Sequence, residues 1–207
     1  MERRASYPTD VTDEQWSRLE PLIPAPKPGG RPPTYGRREI VNAVLYQLRC
    51  GATWRMMPHD LPSWGITYHY WRAWRKDGTW ERAHDTLRTE VRQSMGTNAQ
   101  PSAGTVDSQS EKTRDRGGVD GYDAGKKING REHDVLVDTL GLVWLVVAAS
   151  TQDRDVASTL LWRAGLQATR MRRLRLIWAD DGYAGALVGW VASMRKWGKS
   201  AVGVGRA

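Results

Sequence analysis

Two short apolar runs, 73 residues apart, each deliver a carboxylate and then turn, and that pairing constrains the chain more than any other feature. Ala103-Gly-Thr-Val-Asp-Ser-Gln-Ser110 brings up Asp107, and Leu174-Arg-Leu-Ile-Trp-Ala-Asp-Asp-Gly-Tyr183 brings up Asp180. Runs of four to six apolar residues bounded by polar turn formers read as buried strands. Two such strands side by side and parallel would hold two carboxylates at one sheet edge. Hard oxygen donors in that arrangement suit a divalent cation and phosphoryl transfer. Asp after a strand is also a common turn former or helix cap, and Asp181 competes with Asp180 for either role. Asp123, Asp134, Asp138 and Asp153 read as solvated or turn-forming.

The segments between the two acids fix the fold class. Val135-Leu-Val137 and Leu142-Val-Trp-Leu-Val-Val-Ala148 form a hairpin through Asp138-Thr-Leu-Gly141. Apolar residues at helical spacing come next over about 155–169 (Val156, Leu160, Leu161, Ala164) and again over about 185–196. Strand, hairpin, helix, strand, helix is a mixed sheet with helical crossovers, and a right-handed crossover permits the first and last strands to pair in parallel.

Ahead of this lies a helical region over residues 1–95. Thr12-Asp-Glu-Gln15 is a capping box before Trp16, Leu19 and Ile23, with Pro21 and Pro24 closing that helix. Residues 24–36 are a Pro/Gly-rich linker, either a spacer or a basic arm for a DNA groove. A helix from Arg37 to Arg49 presents Ile40, Val41, Val44, Leu45 and Leu48, and Gly51 stops it. A second, Trp64 to Lys76, has Trp64, Tyr68 and Trp71 as its apolar face and Gly65, His69, Arg72 and Lys76 as a separate stripe. A third begins at Thr79 as its cap and runs to about Met95. Helix, turn, then a basic aromatic helix fits a helix-turn-helix-like DNA reader, and also a plain bundle with aromatic core. The candidate DNA contacts are Arg37, Arg38, His69, Arg72, Arg75 and Lys76. The glycine-rich loop 121–130 adds Lys126 and Lys127 near a phosphate backbone, with Arg131 just after it. Residues 96–103 read as a boundary before a domain at 103–197, with 198–207 as a frayed tail.

Charge agrees with a polyanionic partner. The net charge is +8 with a pI near 9.9. It is spread evenly, with 15 basic and 11 acidic residues in 1–96 and 16 and 12 in 97–207. The one cysteine, Cys50, excludes an internal disulfide and a cysteine-based zinc site, and suits a cytoplasmic chain. No run reaches the ~18 apolar residues of a membrane span, and Met-Glu-Arg-Arg-Ala-Ser at the start lacks a signal-peptide core.

A series of motifs in one order goes further. Val11-Thr-Asp-Glu-Gln-Trp16, Gly30-Arg-Pro-Pro33, Arg38-Glu-Ile-Val-Asn42, Trp54-Arg-Met-Met-Pro-His-Asp60 and Asp77-Gly-Thr-Trp-Glu-Arg82 come first. Val106-Asp-Ser-Gln-Ser110, Gly121-Tyr-Asp-Ala-Gly-Lys-Lys127, Leu136-Val-Asp-Thr-Leu-Gly141, Gln152-Asp-Arg-Asp155 and Trp178-Ala-Asp-Asp-Gly-Tyr183 come after them. To about residue 192 the chain resembles bacterial insertion-sequence transposases of the DDE class, in the insertion-sequence-five family. The resemblance implies an α+β chain, with an all-helical DNA-binding domain before a ribonuclease-H-like catalytic domain. It implies Asp107 and Asp180 as the first two acids of a triad holding Mg2+ or Mn2+. It implies double-stranded DNA as partner (element ends and target), and a homodimer on that DNA. The family's third acid is a downstream glutamate. Nothing after Asp180 here matches it, and Gly130-Arg-Glu-His-Asp134 replaces a basic run. The expectation is therefore a chain that binds element ends but cleaves them poorly. The alternative is a non-catalytic regulator that competes with a full-length transposase for the ends.

Overall fold

The structure is a computed structural model that describes residues 4–26, 29, 32–112, 121–123, 128–150 and 173–179. Residues 107–112, 121–123, 128–132, 148–150 and 179 are described by their backbone. The chain divides into two compact units, residues 1–88 and 89–207. It is α+β, with helices first and a small mixed sheet after them.

The first unit is built around α2 (Arg37–Cys50). Before it, α1 (Asp13–Leu19) carries the expected capping box, Thr12 and Gln15 each satisfying the other's backbone amide. Pro21 then falls within a short 3-10 turn over Glu20–Leu22. α2 ends where Gly51 takes φ +63, a left-handed conformation that glycine adopts without a Cβ penalty. Its buried residues, Ile40, Val41, Asn42, Ala43, Val44 and Gln47, cover more of the helix than one stripe. The reason is two-sided packing. Ile40 and Val41 join Ile23 and Trp74 in one cluster, while Ala43 joins Met57 and Leu61 in another. Leu48, expected in the apolar face, is instead 60% exposed. The buried Asn42 is satisfied, its Oδ1 accepting the Val11 amide at 3.0 Å.

α3 (Trp64–Lys76) and α4 (Thr79–Ser94) complete the helices. Thr79 is the first helical residue rather than the cap. Gly78 precedes it, its carbonyl accepting the Arg82 amide at 3.0 Å, and the Asp77 side chain accepts from the Thr79 amide at 2.9 Å and hydroxyl at 2.6 Å. Those bonds, the hydroxyl's foremost, hold the Asp77 carboxyl below the ordinary carboxylate range. Among the described residues, no helix is long and apolar enough to cross a membrane.

The sheet comprises β1 (Ala103–Lys112), β2 (Gly121–Asp123), β3 (Ile128–Asp138), β4 (Val143–Ser150) and β5 (Leu176–Ala179). The order is β2-β3-β1-β5, with β4 also paired to β3. β1 is antiparallel to β3 and parallel to β5, the pairing that the two acidic runs require. Two expectations change. β1 continues past Asp107 to Lys112 because β3 is long enough to pair with it throughout. Gly121–Asp123, read as loop, is a short strand on β3.

The hairpin from β3 to β4 turns on one side chain. Asp138 accepts the amides of Leu140 at 2.8 Å and Leu142 at 3.0 Å, and Trp144 Nε1 at 3.1 Å. Arg92, in the last turn of α4, donates Nη1 to the same carboxylate at 2.5 Å and Nε to the Asn98 carbonyl at 2.8 Å. Burial alone would raise the Asp138 carboxyl. Donation from Trp144, the Leu142 and Leu140 amides and Arg92 outweighs it and holds the acid below the usual range. Asp138 is thus turn-forming as expected, but buried. Asp134, expected as solvated or turn-forming, is only 1% exposed. Strand alternation puts it on the buried face with Leu136, opposite Val147.

Candidate active site and nucleic-acid interface

Asp107 lies opposite Val135 of β3. On its other side the parallel pairing runs Ala103 to Leu176, Gly104 to Ile177, Thr105 to Trp178 and Val106 to Ala179. Asp107 is therefore the residue directly beyond the last paired position on β1. The residue bonded to Ala179 is Asp180. Asp180 and Asp181 lie outside the described residues, as do Asp153 and the helices expected over 155–169 and 185–196. What forces β1 and β5 together is visible in their side chains. Val106 and Ile177 are 2% and 3% exposed on the sheet's buried face, each such side chain contributing about 2 kcal/mol on burial. Gly104, level with Ile177, leaves no room for a side chain. A Cβ there would stand 2.7 Å from the Val137 carbonyl oxygen.

Aspartate oxygens are hard donors that suit a magnesium or manganese ion. Asp107 and Asp180 are of the right chemical type. Among the described residues, no group of three or more His, Cys, Asp or Glu side chains is gathered into a metal site.

The helical unit carries a group of exposed cations. At about 100° per residue, α3 turns Ile66, Tyr70 and Trp74 toward the cluster around Ile40. His69, Arg72, Arg75 and Lys76 are all exposed. The expected apolar face is displaced. Trp64 and Tyr68 are 42% and 37% exposed, because α3 buries the stripe beside them. Trp54, Tyr68 and Trp71 form a triangle of rings with centroids 5.2, 5.3 and 5.6 Å apart. Arg75 lies 5.1 Å from the Trp71 centroid and Arg55 lies 5.4 Å from that of Trp64, both in cation–π range. Arg55 and the outward rings escape a reading of periodicity, which assigns aromatic residues at helical spacing to a core. The adjacent Trp54-Arg55 pair is the signal that could have found them.

Arg37 and Arg38, expected as DNA contacts, are engaged within the fold. Arg37 donates to the Glu20 and Ile23 carbonyls at 3.1 and 2.6 Å and to Glu20 Oε1 at 2.9 Å. Arg38 donates to Asp13 Oδ1 at 2.5 Å and the Val11 carbonyl at 2.6 Å. Both guanidiniums fasten the α1 segment to α2. Lys126 and Lys127 lie outside the described residues. Arg131 is placed by backbone in β3, opposite Glu111 and Ser150.

Residues 11–84 match the family described as "Putative transposase of IS4/5 family", and residues 98–199 match the family described as "Transposase DDE domain". Over 89 residues the chain is 34% identical to the "Insertion element IS402 uncharacterized 16.2 kDa protein" of Burkholderia cepacia. That stretch is 40% of this chain and 60% of that protein. Over 81 residues it is 27% identical to "Uncharacterized protein y4sN" of Sinorhizobium fredii, covering 39% of this chain and 65% of that protein. The chain thus spans under two thirds of either relative's length. No solved structure matches it. With one transposase model on its helical part and the other on its sheet part, the chain belongs to the DDE transposases of bacterial insertion elements, in the IS4/5 family.

Proposed function

We propose that this chain is a transposase that binds the terminal inverted repeats of its insertion element for metal-dependent DNA strand cleavage and transfer, and that by itself it cleaves them poorly. The observation that carries this reading is the register of β1 with β5. Val106 stands level with Ala179, and the next residue on each strand is an aspartate. Carried one residue further, that register would set Asp180 beside Asp107, where the described β1–β5 pairing ends. A strand order with one antiparallel neighbour of β1, β3, and one parallel neighbour, β5, supports a ribonuclease-H-like domain.

In this reading Asp107 and Asp180 hold Mg2+ or Mn2+, with Asp181 capping the segment after it. Bound there, the metal would polarise a DNA phosphate and lower the pKa of the attacking water or 3′-hydroxyl. The exposed cations His69 (when protonated), Arg72, Arg75 and Lys76 contact duplex phosphates in a helix-turn-helix-like docking. Lys126, Lys127 and Arg131 serve the strand near the acids. Arg37 and Arg38 act indirectly, by holding the first helix against α2. Two copies would bring two element ends together.

The test separates metal binding from DNA binding. Mn2+ binding to the chain, followed by electron paramagnetic resonance, should weaken at least tenfold in Asp107→Asn and in Asp180→Asn. Asp181→Asn should leave it unchanged. Affinity for an inverted-repeat duplex should stay within twofold in all three. Unchanged Mn2+ binding in Asp107→Asn would refute the catalytic assignment and leave a DNA-binding regulator.

A further inference from the structure

Duplex contacts use the cations of α3 and leave its exposed rings without a role. Trp64 and Tyr68 present 42% and 37% of their surface on one flank of the helix. Trp71 and Trp54 stand behind Tyr68. Arg55 and Arg75 lie against Trp64 and Trp71. Residues 64–76 and 48–59 contain no acidic side chain, and Arg49, Arg55, Arg72, Arg75 and Lys76 are exposed in that same sequence. None of these five cations has an ion pair among the described residues. Exposed rings among unpaired cations are the elements of a single-strand binding surface. Bases stack on the rings and on guanidinium planes, while the cations track the phosphates. Inside a duplex the base faces are covered by their neighbours, so a duplex alone gives these rings nothing to stack on.

We infer that the flank of Trp64, Tyr68 and Trp71, with Arg55 and Arg75, binds unpaired DNA bases at a frayed or cleaved strand end. This deepens the proposed function and rests on its DNA-binding part. Charge selects the occupant, since a protein partner for this patch would need to bring acidic groups to Arg55 and Arg75, which have no ion pair among the described residues. A DNA strand brings one phosphate per base. Strand cleavage leaves the free end this surface requires.

The experiment uses the whole chain and fluorescence anisotropy. A blunt 20-bp duplex is compared with the same duplex carrying a single-stranded (dT)8 3′ extension. The extension should tighten binding tenfold or more. The double variant Trp64→Ala/Tyr68→Ala should lose that gain and keep its affinity for the blunt duplex. Trp64→Phe/Tyr68→Phe, which retains stacking faces, should keep the gain. An extension worth less than twofold, or a gain that survives in the alanine pair, would overturn the inference while leaving duplex binding intact. Failure to bind either DNA would overturn the DNA-binding reading as well. If the alanine pair weakens the blunt duplex too, tryptophan emission of the unmodified chain decides. Quenching by (dT)15 supports stacking, and unchanged emission with (dT)15 bound overturns it.

Discussion

Replacing Asp138 by alanine should open the β3–β4 hairpin. The carboxylate side chain is 0% exposed and the Arg92 side chain 5% exposed, so each is the other's means of staying charged away from water. Alanine strands the guanidinium and also the Leu140 and Leu142 amides and the Trp144 indole N–H. Removing one partner of a buried ion pair costs about 3–5 kcal/mol. Each orphaned donor adds about 1 kcal/mol unless water reaches it, and these costs overlap, so the expected loss is about 4 kcal/mol. Domains of this size hold roughly 5–15 kcal/mol in total. Hydrogen exchange by mass spectrometry reads this unit alone. Amides of 135–137 and 143–147 should exchange roughly a thousandfold faster, at one decade per 1.4 kcal/mol. Asp138→Asn keeps an acceptor for the two amides and should lose about half as much in free energy. The depressed carboxyl also gives a pH signature. Its contribution is complete above the unfolded value of 3.8 and is lost as pH falls through the lower folded value. That acid-side loss should vanish in Asp138→Asn. An acceleration below tenfold in Asp138→Ala would refute the argument that this acid organises the hairpin.

Other positions offer independent tests. Gly104→Ala places a Cβ 2.7 Å from the Val137 carbonyl oxygen, which should cost about 1–3 kcal/mol as overpacking at the β1–β3 contact. Faster exchange in β1 checks it, and an unchanged rate would mean the strands can part. Thr12→Ala removes the acceptor for the Gln15 amide and should lower helical-unit stability by about 1 kcal/mol in urea denaturation. For DNA binding, replacing Arg72 and Lys76 by glutamine should flatten the slope of log affinity against log salt by about 2, one per lost phosphate contact. A slope that does not move would place the duplex elsewhere.

Local chemistry made much of this architecture legible in the chain alone. The Thr12–Gln15 capping box, the glycine after α2, the spans of α2 and α3 and the Asp138–Gly141 hairpin turn come from caps, turn formers and period. These act within a few residues. The two apolar runs ending at Asp107 and Asp180 likewise state their own requirement, a parallel pairing with the acids at one edge. Tertiary packing settled which surface each helix spends on the core. α2 is buried on two sides, so its interior includes Asn42 and Gln47 while Leu48 is left in solvent. α3 buries Thr67 and Trp74 and half-buries Tyr70, so Trp64 and Tyr68 face outward. Period identifies an apolar stripe but not which neighbour covers it. Charge has the same limit. Asp138 reads as a turn former from its neighbours, and only folding brings Arg92 to it from 46 residues away. In the same way Arg37 and Arg38 look like free cations until the α1 segment returns to occupy them.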